Sequence, residues 1–270
     1  FIRPKFEYGL AICKFTQSDF QALERLQDKC LRMIVGGHPS SSTTVLKHLC
    51  NLPSMRFRAD CLVARYCLRA STLPSDCLLS LLTPTLSSPR LDHLRQNPLF
   101  VSLPSPRPSS LKPYFSQIRQ KQFDRFLATT SQVLIKACRP VLGIDPILTV
   151  PATRTERSRL LRWRIGWLPG RPKECACLMD HTSRRHLRFC RAIPPTLWDS
   201  LPIPSVPGTH PIDAALNALP TKPGSPCPPF WSDLLMILYH IEVICNPDGE
   251  YPPEPDAGSL WLSPSSGAEQ

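Results

Sequence analysis

The chain lacks most of what would mark it as a membrane protein or as an enzyme acting through metals and phosphates. Its densest apolar run, 234–238, falls far short of the roughly 20 residues a membrane-spanning helix needs. Glycine is scarce, 11 in 270 residues, and no Gly-rich phosphate-cradling loop occurs. There is no Asp-Asp and no aromatic-x-Asp-Asp turn, so the neighbouring carboxylates that hold paired Mg²⁺ in polymerases and nucleases are missing. In the tail, Asp213, Asp233, Asp248 and Glu250 share their stretch with a single lysine, Lys222, set among prolines. No catalytic constellation results, and the expectation is a protein that is not an enzyme. No strand-like alternation of useful length appears, which leaves a mainly α class. The first residue is not Met and the N-terminus lacks a signal-peptide layout. We therefore expect an intracellular protein, nuclear or cytoplasmic, whose frame begins inside a longer coding sequence.

Proline, cysteine and positive charge are abundant instead. Thirty-two prolines must interrupt helices often, and the length suits one large or two small domains. Twelve cysteines over 270 residues are too sparse for a small disulfide scaffold, so most should be reduced thiols. Cys30, Cys50, Cys61 and Cys138 sit on apolar faces as small core residues. The net charge of +11 is uneven. Residues 1–153 carry 20 Lys+Arg against 9 acids, residues 154–191 carry 11 against 3, and residues 192–270 carry one against 9. A basic body with an acidic tail fits a polyanion binder whose tail screens it or binds protein; a merely solvated basic surface fits as well.

Apolar spacing of three and four predicts a helix over 18–35 through Phe20, Leu23, Leu26, Cys30 and Ile34. Ser18 and Gln21 form its capping box, and Gly36-Gly37 ends it. Arg25, Lys29 and Arg32 lie on its other face. A short helix over 44–50 precedes a third, capped by Ser54 and running to about Ala70. There Met55, Ala59, Leu62, Tyr66 and Ala70 face one way, and Arg58, Arg65 and Arg69 another. Residues 71–113 hold eight prolines and read as a linker with at most one helical turn. Helical patterning resumes over 114–139, with Thr129-Thr130-Ser131 as a possible break. A helix over 153–167 follows, with Arg154, Arg157, Arg159, Arg162 and Arg164. The last region, 196–270, is a Pro-rich acidic tail with one apolar helix, 230–245, capped by Ser232 and docked on the body.

Ligand-type residues crowd only in 175–190. Cys175, Cys177, His186 and Cys190 supply three thiolates and an imidazole, the set tetrahedral Zn²⁺ favours. One helical turn would aim His186 and Cys190 at a common centre, and the four donors should lie within about 4 Å of one another. His181 competes as a ligand, and reduced structural thiols are the plain alternative. Four protein ligands leave no open position, so a metal here would be structural and would fix Arg184, Arg185 and Arg188 for a nucleic-acid backbone. Trp163, Trp167 and Phe189 are nearby; they either stack on bases or fill a core. The nucleic-acid surface read from the sequence is thus Arg25, Lys29, Arg32, Arg58, Arg65, Arg69, Arg154, Arg157, Arg159, Arg162, Arg164, Arg184, Arg185 and Arg188.

Several segments together resemble a known family. Residues 3–10 (RPKFEYGL), then 23–37 (LERLQDKCLRMIVGG) and 49–53 (LCNLP), are similar to the entry into the helical thumb, just after the palm, of non-LTR (LINE-type) retrotransposon reverse transcriptases. Residues 159–170 (RLLRWRIGWLPG), leading into Cys175, Cys177, His186 and Cys190, resemble the C-terminal CCHC knuckle of such elements, in a style that suggests a fungal one. The resemblance covers the chain to about Cys190. It implies a thumb-like region over 1–70, a basic helical region over 114–170 and a knuckle over 171–195. It also implies RNA or DNA as partner, with an upstream palm domain in the parent polymerase. The palm's Asp pair is not in this chain, so activity is not carried over. Two readings follow: a non-catalytic nucleic-acid-binding C-terminal fragment, or a structural or protein-interaction module of a degenerate retroelement.

Overall fold

Helix ends do more than helix interiors to set the course of this chain. The computed structural model describes residues 7–71, 73–74, 76–77, 96–103, 110–251 and 256–262. Residues 3–6 of the thumb-like motif and most of the 71–113 linker lie outside the described residues. The chain is mainly α, with helices α1 (Gln17–Val35), α2 (Thr43–Leu49), α3 (Met55–Ser71), α4 (Pro98–Val101), α5 (Leu111–Thr129) and α6 (Val133–Lys136), followed by a 3₁₀ turn at Pro146–Leu148. Helices α7 (Arg154–Arg164), α8 (Arg184–Leu187), α9 (Thr196–Asp199), α10 (Pro211–Ala218), α11 (Trp231–Cys245) and α12 (Ser259–Leu262) complete it. One isolated antiparallel bridge, Glu174 with His181, is the strand-like pairing among the described residues.

The helices form two units. The first comprises residues 1–30 and 52–129, the second residues 31–51 and 130–270. The divisions expected from the sequence, at 70, 113, 170 and 195, fall elsewhere in the chain. The chain crosses between units three times: inside α1, between Asn51 and Leu52 ahead of α3, and at the break between α5 and α6, where Thr129-Thr130-Ser131 stops the helix as its β-branched and hydroxyl residues suggest.

In the first unit the cap of α1 lies two residues earlier than expected. Thr16, not Ser18, is the cap: its Oγ1 accepts from the Asp19 N–H at 3.2 Å while the Asp19 carboxylate accepts from the Thr16 N–H at 2.8 Å. The buried line along α1 is also rotated from the expected one. Phe20 and Gln27 are buried, whereas Leu26 and Ile34 are exposed. The rotation follows from polar ties to the start of α3, because Gln27 donates to the Pro53 carbonyl and Glu24 accepts from the Met55 N–H. Ser54 does cap α3, accepting from the Phe57 N–H. Helix α3 packs on both sides. Met55 and Ala59 join Leu10 and Phe20, while Cys61, Ala64 and Leu68 join Leu99, Leu111 and Phe115.

In the second unit α1 ends at Gly36, which takes φ +67, and Gly37 N–H bonds the Arg32 carbonyl at 2.7 Å. Ser42 caps α2, which packs on α6. Helix α7 begins with a full capping box, Thr153 with Glu156, and rests on the 3₁₀ turn and on α11. At its end Gly166 takes φ +81, and a Cβ there would meet Leu134 at 2.9 Å. Helix α11 docks as expected and buries Trp231, Leu234, Leu235, Ile237, Leu238 and Ile241, but Ser232 does not cap it; Phe230 holds the cap position with no side-chain bond. Helix α10 was not expected at all. Its cap is His210, whose ring accepts from the Ile212 N–H, with Pro211 at the first helical position.

Candidate metal centre

After α7 the chain runs through Pro169-Gly170 into a tight reversal. Thr182 N–H donates to the Lys173 carbonyl at 2.7 Å, Lys173 N–H to Thr182 Oγ1 at 3.0 Å, and Cys175 N–H to the Asp180 carbonyl at 3.0 Å. Inside the reversal Leu178 N–H bonds the Cys175 carbonyl, with Leu178 in the left-handed region at φ +59. Then Ser183 caps α8 by accepting from the His186 N–H, and the chain turns back so that Cys190 N–H meets the Leu187 carbonyl.

These turns bring Cys175, Cys177, His186 and Cys190 together. Cys175 Sγ lies 3.5 Å from Cys190 Sγ, and Cys177 Sγ 3.2 Å from His186 Nε2; all four donors fall within 4.8 Å of one another. This is slightly wider than the 4 Å expected from the sequence. Cys175, Leu187 and Cys190 form a buried base, while Cys177 and His186 sit nearer the surface. The group could hold a metal ion. His181 is not part of it: it is exposed, with Nδ1 3.7 Å from an Asp180 carboxylate oxygen. A hydrogen bond from the Met179 N–H, aided by the neighbouring ligands, lowers the Cys177 pKa to about 7, the direction that favours a thiolate. Burial pushes the Cys190 thiol up to about 12. All twelve cysteines are free, and burial raises both Cys61 and Cys138 to about 11, as inert core thiols.

The loop is braced from below. Trp163 is fully buried, and its Nε1 donates to Asp213 Oδ1 at 2.9 Å. The Arg184 guanidinium stacks 4.2 Å over the Trp163 ring, donates to the Trp163 carbonyl and pairs with Asp213 Oδ2 at 3.4 Å. His210 Nε2 donates to the Arg184 carbonyl at 3.0 Å; burial lowers its pKa to about 4, which keeps the ring neutral. Sequence reading missed this brace because it treated 196–229 as tail. The signal was present in His210-Pro211 followed by Ile212, Ala215 and Leu216 at helical spacing.

The arginines expected to form one surface separate into two groups. Arg159 and Arg164 are buried, at 3% and 1% exposure, and so present nothing to a ligand. Arg159 and Arg162 both pair with Glu242, while Arg164 reaches Asp213, Asp145, Asn217 Oδ1 and the Ala137 carbonyl. Arg157 donates to the Ile147 and Val150 carbonyls, Arg32 to the Ser41 carbonyl, and Arg58 pairs bidentately with Glu7 at 2.6 and 2.7 Å. These side chains, with Arg184, are engaged by the protein itself. Arg25, Lys29, Arg65, Arg69, Arg154, Arg185 and Arg188 are exposed. Of the aromatics, Phe189 is 73% exposed under the Arg188 guanidinium, 5.2 Å from it. No family model, curated protein or solved structure matches the chain.

Proposed function

We propose that this chain is a non-catalytic nucleic-acid-binding segment, the C-terminal part of a non-LTR retrotransposon reverse transcriptase. In this reading a zinc ion in the Cys175, Cys177, His186, Cys190 group rigidifies a small contact module. Donors around a tetrahedral zinc with bonds of about 2.0–2.3 Å stand roughly 3.3–3.8 Å apart. The donors here need only a small inward adjustment, and the lowered Cys177 pKa suits it. When bound, the metal supplies a structural crosslink, since four protein donors complete its coordination.

The observation that carries the reading is the tip beside this group. Phe189 offers an exposed ring, and Arg185 and Arg188 stand exposed on and just after α8. A ring flanked by cations suits an unpaired base with its phosphates, and such stacking tolerates any sequence. Arg171, Lys173 and Arg191 add exposed positive charge on the flanking turns. The exposed Leu178 and Met179 favour the second reading, a protein-interaction module of a degenerate element, because they form an apolar patch that phosphates would not use.

The test uses the full chain purified with zinc. Elemental analysis should give one zinc per chain, lost in Cys190→Ser. Fluorescence anisotropy on a single-stranded RNA 20-mer should show binding that weakens with salt at a log–log slope of about −0.7 per phosphate contact. Phe189→Ala should weaken it by about 1–3 kcal/mol. Absence of binding at low salt would overturn the proposal in favour of the interaction module.

A further inference from the structure

Beside the Cys/His loop, within the second unit, lies a cavity of about 360 Å³. That volume is at the lower end of the range for small-ligand pockets. One of its walls is aromatic: the His38 and Trp167 rings stand 4.8 Å apart at 48°, and Trp167 remains 39% exposed. Three cations, Arg162, Arg171 and Lys173, also line it. No carboxylate lines the cavity. Arg162 shares Glu242 with Arg159, but Arg171 and Lys173 are exposed and have no acidic partner among the described residues.

Three helix C-termini, those of α1, α7 and α11, come near the cavity, and open carbonyls there would repel an anion. At the end of α11 the Asn246 N–H bonds the Glu242 carbonyl, and the ends of α1 and α7 are closed by glycine turns. Gly36 and Gly37 N–H groups bond the Met33 and Arg32 carbonyls at the end of α1, and Gly166 and Trp167 N–H groups bond the Trp163 and Arg162 carbonyls at the end of α7. The charged side chains that line the cavity are all cationic, Arg162, Arg171 and Lys173.

We propose that this cavity binds a nucleotide, with the base against Trp167 and His38 and the phosphate on Arg171 and Lys173. Inorganic phosphate would use only the cations, and an uncharged aromatic only the rings; a nucleotide uses both at once. The ligand is either a free nucleotide or the 5′-phosphorylated end of a strand. The inference does not depend on the tip at Phe189 holding RNA.

Equilibrium dialysis of adenosine 5′-monophosphate against the full chain tests it. The nucleotide should bind at least tenfold more tightly than ribose 5-phosphate and than adenosine. Arg171→Ala with Lys173→Ala, both at exposed positions, should lower nucleotide affinity at least tenfold and leave adenosine unchanged. Trp167→Leu should erase the preference over ribose 5-phosphate, and His38→Ala, at an exposed position, should reduce it. Displacement by a 5′-phosphorylated oligoribonucleotide, but not by its unphosphorylated form, supports the pocket and assigns a strand end. No displacement with nucleotide binding intact supports the pocket and assigns a free nucleotide. Undetectable binding at millimolar concentration, equal binding of ribose 5-phosphate, or indifference to the variants overturns the proposal. Phe189→Ala separates the two sites, since it should weaken RNA and leave the nucleotide unaffected.

Discussion

Helices α3 and α7 are both rich in arginine at helical spacing, and they dispose of it in opposite ways. On α3, Arg65 and Arg69 are exposed, Arg58 is locked to Glu7, and Arg56, itself exposed, pairs with Asp60 one turn on. On α7, Arg159, Arg162 and Arg164 are all held by acids, and two of the three are buried. The cause lies in the neighbours. Helix α3 packs on apolar side chains from α4 and α5, whereas α7 packs on α11, which carries Glu242, and bonds through Trp163 and Arg164 to Asp213 of α10. The acidic tail thus neutralises the basic helix from inside the fold. An arginine stripe reports a binding face only where no packed element brings a carboxylate to it.

The contrast can be broken most severely at Arg164. Arg164→Ala removes the cation from between Asp145 and Asp213; Asp213 keeps Arg184, but the buried Asp145 loses its ion-pair partner, which costs about 3–5 kcal/mol. Urea unfolding of the second unit should show this as a large drop in midpoint; a shift no larger than that of a surface variant would mean the network contributes nothing. Reversing Arg162 or Arg184 to Glu would likewise place a carboxylate against Glu242 or Asp213, so a loss of binding in such a variant would report misfolding.

Acid should act next. His210 is neutral in the fold with a pKa of about 4, below the 6.5 of the free side chain, so the unfolded chain takes up a proton first as pH falls. Its contribution is full above pH 6.5 and is lost on the way down to about 4, amounting to roughly 3 kcal/mol. Glu242 adds a second acid-sensitive step. Burial raises its pKa, but the bonds from Arg159 and Arg162 more than offset that and hold it below 4.5, so its stabilisation is present above that value and fades as pH falls beneath it. Thermal melts from pH 7.5 to 4 should show the decline, and His210→Gln should flatten its upper part.

The smallest effect belongs to the exposed side of the comparison. Arg65→Ala and Arg154→Ala should change stability by no more than about 0.5 kcal/mol. If either weakens RNA binding and shallows its salt slope, the contact surface extends beyond the tip at Phe189.

Local signals in the sequence read well. Ser54, Gly36-Gly37 and the Thr129–Ser131 break act where they were expected, because caps and stops depend on neighbours within four residues. The Cys/His group was legible from its spacing, although spacing could not choose between His181 and His186. That choice is made by the Ser183 cap and the reversal at Leu178. The fate of the arginines was not legible, since their partners lie far along the chain: Arg159 meets Glu242 across 83 residues, and Arg164 meets Asn217 across 53. Helix α10 was hidden by the prolines around it, although one of them starts it.

The division of the chain inside α1 has a practical consequence. A recombinant fragment begun at Thr130 would look like the whole second half, yet it would lack α2, whose Val45, Leu46 and Leu49 are almost completely buried, and the Leu49 carbonyl that accepts from the Asp145 N–H. Such a fragment should be prone to proteolysis and aggregation through the core it leaves open. Separating the halves cleanly calls for supplying residues 31–51 in trans or grafting them ahead of Thr130.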